Sequence, residues 1–510
     1  MAPAKDIGWL SRMPLILVIW GIVSLSMWVP ASYALVLDDH PTSRSFFYAG
    51  IVGLFCVSLI AIAQAGRVPR HGLLGQLLTM FGTLSVLPVF MAVPLHDALG
   101  NTSFLNAYFD MVSALTTTGA DLFSDPERLS GPLHLWRAQV AWMGGLFMWV
   151  AAAAILAPLS LGGFEITARG QPGRSMLAPS KVRRADPRGL LIRTTQVLLP
   201  IYAGLTVAVW AMLVMSGEDV LTGLCHAMSV LSTSGISPVG GMENAKAGYA
   251  GEFILFLFMF FALSRLTFSN DTATSGYSRL DQDPEFRIGL GLVVILPLIL
   301  IARDLLGSIE FEMSHAPIEV LRAFWGAMFT VMSLMSTTGF ISESWGVSEQ
   351  WSGLSAPGLI LLGLALIGGG VATTAGGVKL LRVYALYLNG LREMQRLVHP
   401  SSVSSETGKT RRIQKDGAFV AWVFFMLFAV SLAAISAALA FLGSDFEAAL
   451  ILSISALSTT GPLIDVAAET RIDLLNLSAA SKGVMCFAMI LGRLEALALI
   501  VLLTPTRWRR

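Results

Sequence analysis

The sequence predicts an all-α polytopic membrane protein of ten transmembrane helices. Eight of them form four pseudo-symmetric repeats of outer helix, short re-entrant helix, irregular segment and inner helix, and two more precede these at the N-terminus. Three observations carry this: a shortage of charge, a series of long apolar runs, and a Thr-Gly string that returns four times. Of the 510 residues, 55% are hydrophobic and 13% charged. A soluble domain carries roughly 25% charged residues, so the main solvent of this fold is lipid. The formal net charge of +1 gives no reason to expect nucleic acid as a partner. Cys56, Cys225 and Cys486 sit in apolar runs without metal-ligand spacing and read as packed thiols.

A crossing helix needs roughly 20 apolar residues. Such runs lie near 14–37, 46–65, 73–95, 136–161, 190–215, 251–269, 287–306, 356–388, 417–442 and 482–504. Shorter apolar segments fall between some of them, near 103–118, 219–234, 318–338 and 445–460, and each ends in Thr, Ser and Gly. Basic residues set the orientation. They crowd the segments 165–193 and 389–415, the connections holding Arg67, Arg70, Arg265, Arg279 and Arg287, and the C-terminus at Arg507, Arg509 and Arg510. With ten spans, all of these fall on one side. Both termini are therefore expected in the cytoplasm and the Thr-Gly segments on the outer side. The run Met13–Val29, after Lys5 and Arg12, has some features of a signal peptide, with Ser32-Tyr33-Ala34 as a cleavage-like site. Its length favours an uncleaved anchor.

The string SALTTTG at 113–119 has counterparts in SVLSTSG at 229–235, SLMSTTG at 333–339 and SALSTTG at 455–461. One copy is a plain turn, whereas four copies between spans argue for internal duplication. Sixteen residues before three of the glycines stand Ser103, Asp219 and Asp445, which suit helix N-caps. Pro317 suits the first turn of the third short helix. Irregular backbone at membrane depth is tolerated only where it is buried or lines water. Four such segments entering from one side make a ring. Short-helix C-termini then point partial negative charge inward, and Thr and Ser carbonyls can replace the hydration shell of a cation. Glycine supplies the positive φ needed to aim them.

With these motifs in place, the chain resembles the Trk/Ktr/HKT superfamily of potassium transporters, and most closely its bacterial TrkH-like membrane subunits. The likeness extends to LIGGGVATTAGGVKLLR at 366–382, similar to a broken inner helix of the third repeat, and to MILGRLEALALIVLLTPTRWRR at 489–510, similar to the final inner helix. It implies potassium uptake through a selectivity filter. It also implies a homodimer with one pore per subunit and a soluble nucleotide-binding (RCK-type) regulatory subunit on the cytoplasmic face. The expected organisation is two extra helices in 1–70, then pore repeats at 71–165, 186–278, 284–398 and 412–510, in a bacterial inner (cytoplasmic) membrane. The basic loops at 169–193 and 392–415 fit such a regulator, and equally fit ordinary positive-inside topology on anionic lipid.

The filter is expected at Thr117, Thr118 and Gly119; Thr233, Ser234 and Gly235; Thr337, Thr338 and Gly339; and Thr459, Thr460 and Gly461. Potassium is the transported ion, and no organic cofactor is expected. The chain departs from the family's usual pattern at Asp121 and at Gly461-Pro462-Leu463, both at the outer mouth. Asp121 is either a solvated loop carboxylate or a charge that concentrates cations. The stretch Gly368, Gly369, Gly370, Thr373, Thr374, Gly376, Gly377 and Lys379 lacks the Gly-Lys-[Ser/Thr] of a phosphate loop. It reads as a helix break forming a gate beneath the filter, in preference to plain small-residue packing. Arg493, near the middle of the last span, reads as an electrostatic barrier below the filter, the competing reading being an ion pair with a distant carboxylate. Glu495, two residues on, faces elsewhere. Asp110 and His226, each nine residues before a filter glycine, read as satisfying neighbouring polar atoms. No His-Glu-x-x-His, Gly-x-Ser-x-Gly or arginine ladder occurs, which disfavours an enzyme and a voltage-gated channel. A sodium- or proton-coupled symporter and a weakly selective conductor remain as alternatives on the same fold.

Overall fold

The computed structural model describes residues 13–64, 73–123, 125–157, 187–264, 283–310, 317–352, 358–398, 418–468 and 470–495. These residues are helical, without a strand. In chain order the helices are α1 (Leu15–Ser26), α2 (Trp28–Val36), α3 (His40–Ala63), α4 (Leu73–Ser85), α5 (Leu87–Leu99), α6 (Phe104–Leu115) and α7 (Gly131–Ala151). There follow α8 (Pro187–Met215), α9 (Val220–Ser232), α10 (Gly248–Met259), α11 (Pro284–Glu310), α12 (Pro317–Met335) and α13 (Trp345–Ser352). The last are α14 (Gly358–Ile367), α15 (Leu380–Val398), α16 (Ala418–Phe441), α17 (Phe446–Ser458), α18 (Leu463–Ala467) and α19 (Ala479–Leu494).

Eight helical stretches among the described residues are long and apolar enough to cross a membrane, against the ten expected. The differences have local causes. The expected run 356–388 is broken: α14 stops at Ile367, before Gly368-Gly369-Gly370, and α15 resumes at Leu380. The run 251–269 is helical over Gly248–Ala262, and the run 482–504 is described as far as Glu495. Conversely α12, expected as a half-crossing, has 19 residues and starts at Pro317, immediately before the apolar run. Large apolar side chains of the crossing helices are exposed, such as Phe55, Ile62, Val207, Ile299 and Phe419, as suits a surface wetted by lipid tails. The basic residues Arg67, Arg70, Arg169, Arg174, Lys181, Arg183, Arg184, Arg265, Arg279, Lys409, Arg411, Arg412, Lys415, Arg507, Arg509 and Arg510 lie outside the described residues.

Local signals explain several helix ends. Asp39 caps α3 by accepting the Thr42 N–H, and Ser103 caps α6 by accepting the Asn106 N–H. Asp219 and Asp445 occupy the N-cap positions of α9 and α17 but make no side-chain cap. Asp219 turns instead to Lys246, with its carboxylate 2.7 Å from Nζ. Cys225 and Cys486 are buried, while Cys56 is only half-buried.

Four helices, α6, α9, α12 and α17, lead into the Thr-Gly segments. Each packs against the long helix before it: α5, α8, α11 and α16 respectively. The helix following each segment packs against the next lead-in helix: α7 on α9, α10 on α12, α14 on α17, and α19 back on α6. The packing thus closes on itself. Glycine permits close approach in this ring. Gly144 of α7 lies against the Leu115 carbonyl, and Gly492 of α19 against the Leu457 carbonyl at the same point of the fourth segment, so a methyl group at either would strike backbone.

Candidate functional site

The four Thr-Gly segments meet at the centre of that packing. Thr117, Thr233, Thr337 and Thr459 have φ of 55°, 56°, 58° and 53°. Positive φ is rare outside glycine and a true outlier for a β-branched residue. Its occurrence at the same register in all four segments marks a shared, strained turn. The string alone pointed to the glycine as the source of positive φ. Gly119, Gly235 and Gly339 do have it, at 68°, 66° and 87°, but the threonine two residues earlier has it every time. Gly461, which Pro462 follows, is not among the positive-φ residues.

Each glycine faces the neighbouring segment. A methyl group on Gly119 would strike the Ser234 carbonyl, one on Gly235 the Thr338 carbonyl, one on Gly339 the Pro462 ring, and one on Gly461 the backbone of Gly119 and Ala120. The Gly461 N–H donates to the Thr118 carbonyl at 2.5 Å. The carbonyls of Thr118, Ser234 and Thr338 therefore crowd the space between segments. The fourth differs from expectation: the Thr460 carbonyl accepts from the Ser455 hydroxyl at 2.9 Å and is turned back toward its lead-in helix.

Side-chain hydroxyls hold the backs of the segments. Thr118 pairs with Thr116 at 2.8 Å, Ser234 with Ser232 at 3.1 Å, Thr338 with Ser336 at 2.8 Å and Thr460 with Ser458 at 3.2 Å. The hydroxyls two residues before the glycines behave differently. Among the described residues those of Thr117 and Thr459 are buried without a partner, while that of Thr337 accepts the Gly376 N–H at 2.8 Å.

Outside the ring lies a cavity of about 440 Å³. Gly119, Gly235 and Gly339 form its floor, and Asp121, Arg137, Glu243, Glu349 and Asp465 contribute to its walls. Asp465 is exposed toward this cavity, whose walls limit the water around it. Restricted hydration, reinforced by the nearby Asp121 charge and opposed by Arg471, pushes its carboxyl up to about 6.

On the other side of the ring sits the stretch 368–379. Gly368, Ala372, Gly377 and Lys379 have positive φ, so the chain doubles back on itself. It touches three of the four segments. The Thr374 hydroxyl donates to the Leu231 carbonyl at 3.1 Å, Gly376 donates to Thr337, and Gly376 also lies against the Ser458 carbonyl and the Thr459 hydroxyl. Gly369 and Gly370 press on the carbonyls of Ala262 and Leu263. Thr373 donates to the Gly370 carbonyl at 2.8 Å. Lys379 is buried and its Nζ donates to the Ala375 carbonyl. Glu285 anchors the loop by accepting the Val371 N–H at 2.9 Å.

Arg493 is 5% exposed and donates from Nη1 to the Thr374 carbonyl at 2.7 Å. Its Nε and Nη2 have no partner among the described residues. Glu495 points elsewhere, but it stands just past the end of α19 with φ of 63°, so helical spacing is not the cause; it pairs with Arg382 at 2.7 Å. Arg382 also stacks over the Phe424 ring, 3.6 Å from its centroid. His226 bonds Ser237 at 2.9 Å, and Asp110 bonds Arg137.

Arg137, Glu252 and Glu285 were not singled out by sequence. Arg137 and Glu252 are charges inside apolar runs and Glu285 stands just before one, which is the signal that was available. Their partners lie at sequence distances no helical spacing reveals. Glu252, for example, accepts from Trp325 Nε1 at 2.6 Å, Ser342 Oγ at 2.9 Å and the Glu343 N–H at 2.7 Å.

The family model described as "TrkH: Cation transport protein" matches residues 85–264 and 288–507. The chain belongs to the TrkH family of cation transport proteins. The Trk system potassium uptake protein TrkH of Escherichia coli K12 is 29% identical over 507 residues, covering 96% of this chain and 97% of that protein. The protein of the same name from Halomonas elongata is 31% identical over 438 residues, covering 84% of each. The crystal structure of the potassium transporter TrkH from Vibrio parahaemolyticus superposes with a TM-score of 0.78 at 25% identity, covering 98% of this chain and 99% of that one. As in the TrkH family, the chain is a multi-pass membrane transporter.

Proposed function

We propose that this chain takes up potassium across a bacterial inner membrane through a filter formed by its four Thr-Gly segments, with 368–379 and Arg493 as the gate beneath it. The observation that carries this reading is the contact of each segment glycine with the neighbouring segment, the fourth meeting the first. Such a ring encloses carbonyl oxygens that can exchange for a cation's hydration shell. The filter residues are Thr117, Thr118, Gly119, Thr233, Ser234, Gly235, Thr337, Thr338, Gly339, Thr459, Thr460 and Gly461. The pore repeats run over 71–165, 186–278, 284–398 and 412–510, with two further helices in 1–70.

The gate acts by position and charge. Its loop bonds Thr337 and abuts Thr459, so in this arrangement it occupies the inner end of the filter. Arg493 holds the loop through Thr374 and adds a positive charge without a described carboxylate partner. A passing cation is repelled there, the more so between low-dielectric walls. Opening requires the loop to leave Thr337 and Arg493 to swing with it. The family likeness supports a homodimer and a nucleotide-binding regulatory subunit on the cytoplasmic face. Both termini are placed in the cytoplasm on the charge pattern.

Rubidium and sodium flux into proteoliposomes, with and without a membrane potential, tests this. Saturable rubidium uptake driven by voltage alone is expected. Uptake that collapses without a sodium or proton gradient would instead indicate a symporter, and absence of alkali-cation flux would remove the filter assignment.

A further inference from the structure

Arg137 lies on α7 and is 2% exposed. A buried guanidinium is tolerated where its donors are met by charge. Its Nε donates to both carboxylate oxygens of Asp110 at 3.1 Å, and its Nη2 reaches Asp121 at 2.8 Å. Asp110 is on the lead-in helix α6, nine residues before Gly119, and Asp121 is two residues after it. Asp121 Oδ1 also accepts the Phe123 N–H at 3.2 Å, which fixes the turn leaving the segment.

The same registers are joined elsewhere by other chemistry. In the second segment His226, nine before Gly235, bonds directly to Ser237, two after it, at 2.9 Å. In the third, Thr330, nine before Gly339, accepts the N–H of Ser342, three after it, at 3.4 Å. In the fourth, the equivalent positions are Leu452 and Leu463, both apolar and buried. Three segments are thus strutted from lead-in helix to outer end by a polar link, and the fourth by packing beside Pro462. The first link runs through a charged residue of the following helix, and the third segment has a comparable one, since Glu252 of α10 accepts from Trp325 of α12 and from Ser342.

We propose that these struts are specificity determinants: the Asp110–Arg137–Asp121 bridge, with His226–Ser237 beside it, fixes the outer ends of the first two segments and thereby the cation size that the ring prefers. This rests on the filter reading above. The segments carry strained threonines, so the ring keeps its width only while both ends of each segment are held. Releasing the outer end lets the carbonyls relax toward the smaller sodium ion. Asp121 acts here through geometry, as an acceptor for Arg137 and Phe123, and its charge is secondary.

The test uses the full chain in proteoliposomes, with rubidium uptake measured against competing sodium. Asp121→Ala removes the acceptor, Asp121→Asn keeps an acceptor without the charge, and Ser237→Ala cuts the second strut at a site remote from any ion pair. Expected is a loss of about tenfold in rubidium-over-sodium preference for Asp121→Ala, equivalent to about 1.4 kcal/mol. Ser237→Ala should give a smaller loss in the same direction, and Asp121→Asn should retain the wild-type ratio. Melting temperatures are recorded on the same preparations. If Asp121→Ala does not yield folded protein, Ser237→Ala alone decides. Unchanged preference in folded Ala variants overturns the proposal, as does an Asp121→Asn variant that loses preference as far as Asp121→Ala. Absence of selective flux in the wild type is a different failure, that of the filter reading itself.

Discussion

At the scale of single residues, the glycines of the proposed filter differ in what they press against, and their substitutions should differ accordingly. Gly119 and Gly235 face carbonyl oxygens that belong to the ring, and Gly339 faces the Pro462 ring. An alanine at Gly119 or Gly235 meets both a backbone oxygen and a left-handed conformation that costs about 1–2 kcal/mol. Gly235→Ala should therefore abolish selective rubidium uptake, while Gly339→Ala should weaken the preference and leave uptake measurable. Equal behaviour of the two in the flux assay would count against the ring geometry. Arg493 gives a second contrast. Breaking a buried ion pair typically costs about 3–5 kcal/mol because a charge is stranded, but Arg493 bonds a carbonyl, not a carboxylate. Arg493→Ala should then raise rubidium flux with little change in melting temperature. A large fall in melting temperature with no gain in flux would return Arg493 to a structural role. Asp465 adds a pH effect. With its carboxyl at about 6, it is charged above that pH and neutral below it. Uptake at low potassium should fall as external pH drops from about 7 to 5, and Asp465→Asn should flatten that profile, which initial-rate measurements can check.

At the scale of elements, the broken helix between α14 and α15 is the part that the proposed gating would move. Its ties to other elements among the described residues include Glu285 to Val371, Gly370 to Ala262, Thr374 to Leu231, Gly376 to Thr337 and Arg493 to Thr374. Shortening 368–379 should raise flux without altering ion preference, since the loop touches the inner end of the filter and leaves the outer struts alone. Unchanged flux at equal expression would favour simple packing for this stretch. The break itself was legible in the sequence, because three consecutive glycines cannot sustain a helix, and so were the neighbouring Thr-Gly strings. Its anchors were not. Glu285 lies 86 residues from Val371 and Arg382 lies 113 from Glu495, and periodicity along one helix carries no information on such pairs. The predicted caps show the same boundary: Ser103 caps as expected, whereas Asp219 is drawn away by Lys246, a residue beyond local view. The strained threonines were missed for another reason, since intrinsic preference points to glycine for positive φ and tertiary packing overrode it.

At the scale of the whole molecule, the four like strings lead to the expectation of lead-in helices around one centre, because segments that cannot face lipid have to face one another. What the string could not tell was how the circle is completed. The last described helix supplies that: α19 returns to α6, and Lys482 Nζ donates to Asn106 Oδ1 at 2.8 Å across 376 positions of chain. This has a consequence for the order in which the protein is made. As the chain emerges, α6 enters the bilayer with one flank uncovered and keeps it so until the final tenth of the sequence is synthesised. Long-range closure of this kind is slow and leaves exposed intermediates, so a nascent chain arrested before α19 has three sides of a circle, and its polar Thr-Gly backbone must wait for cover from another protein or from water at the membrane surface.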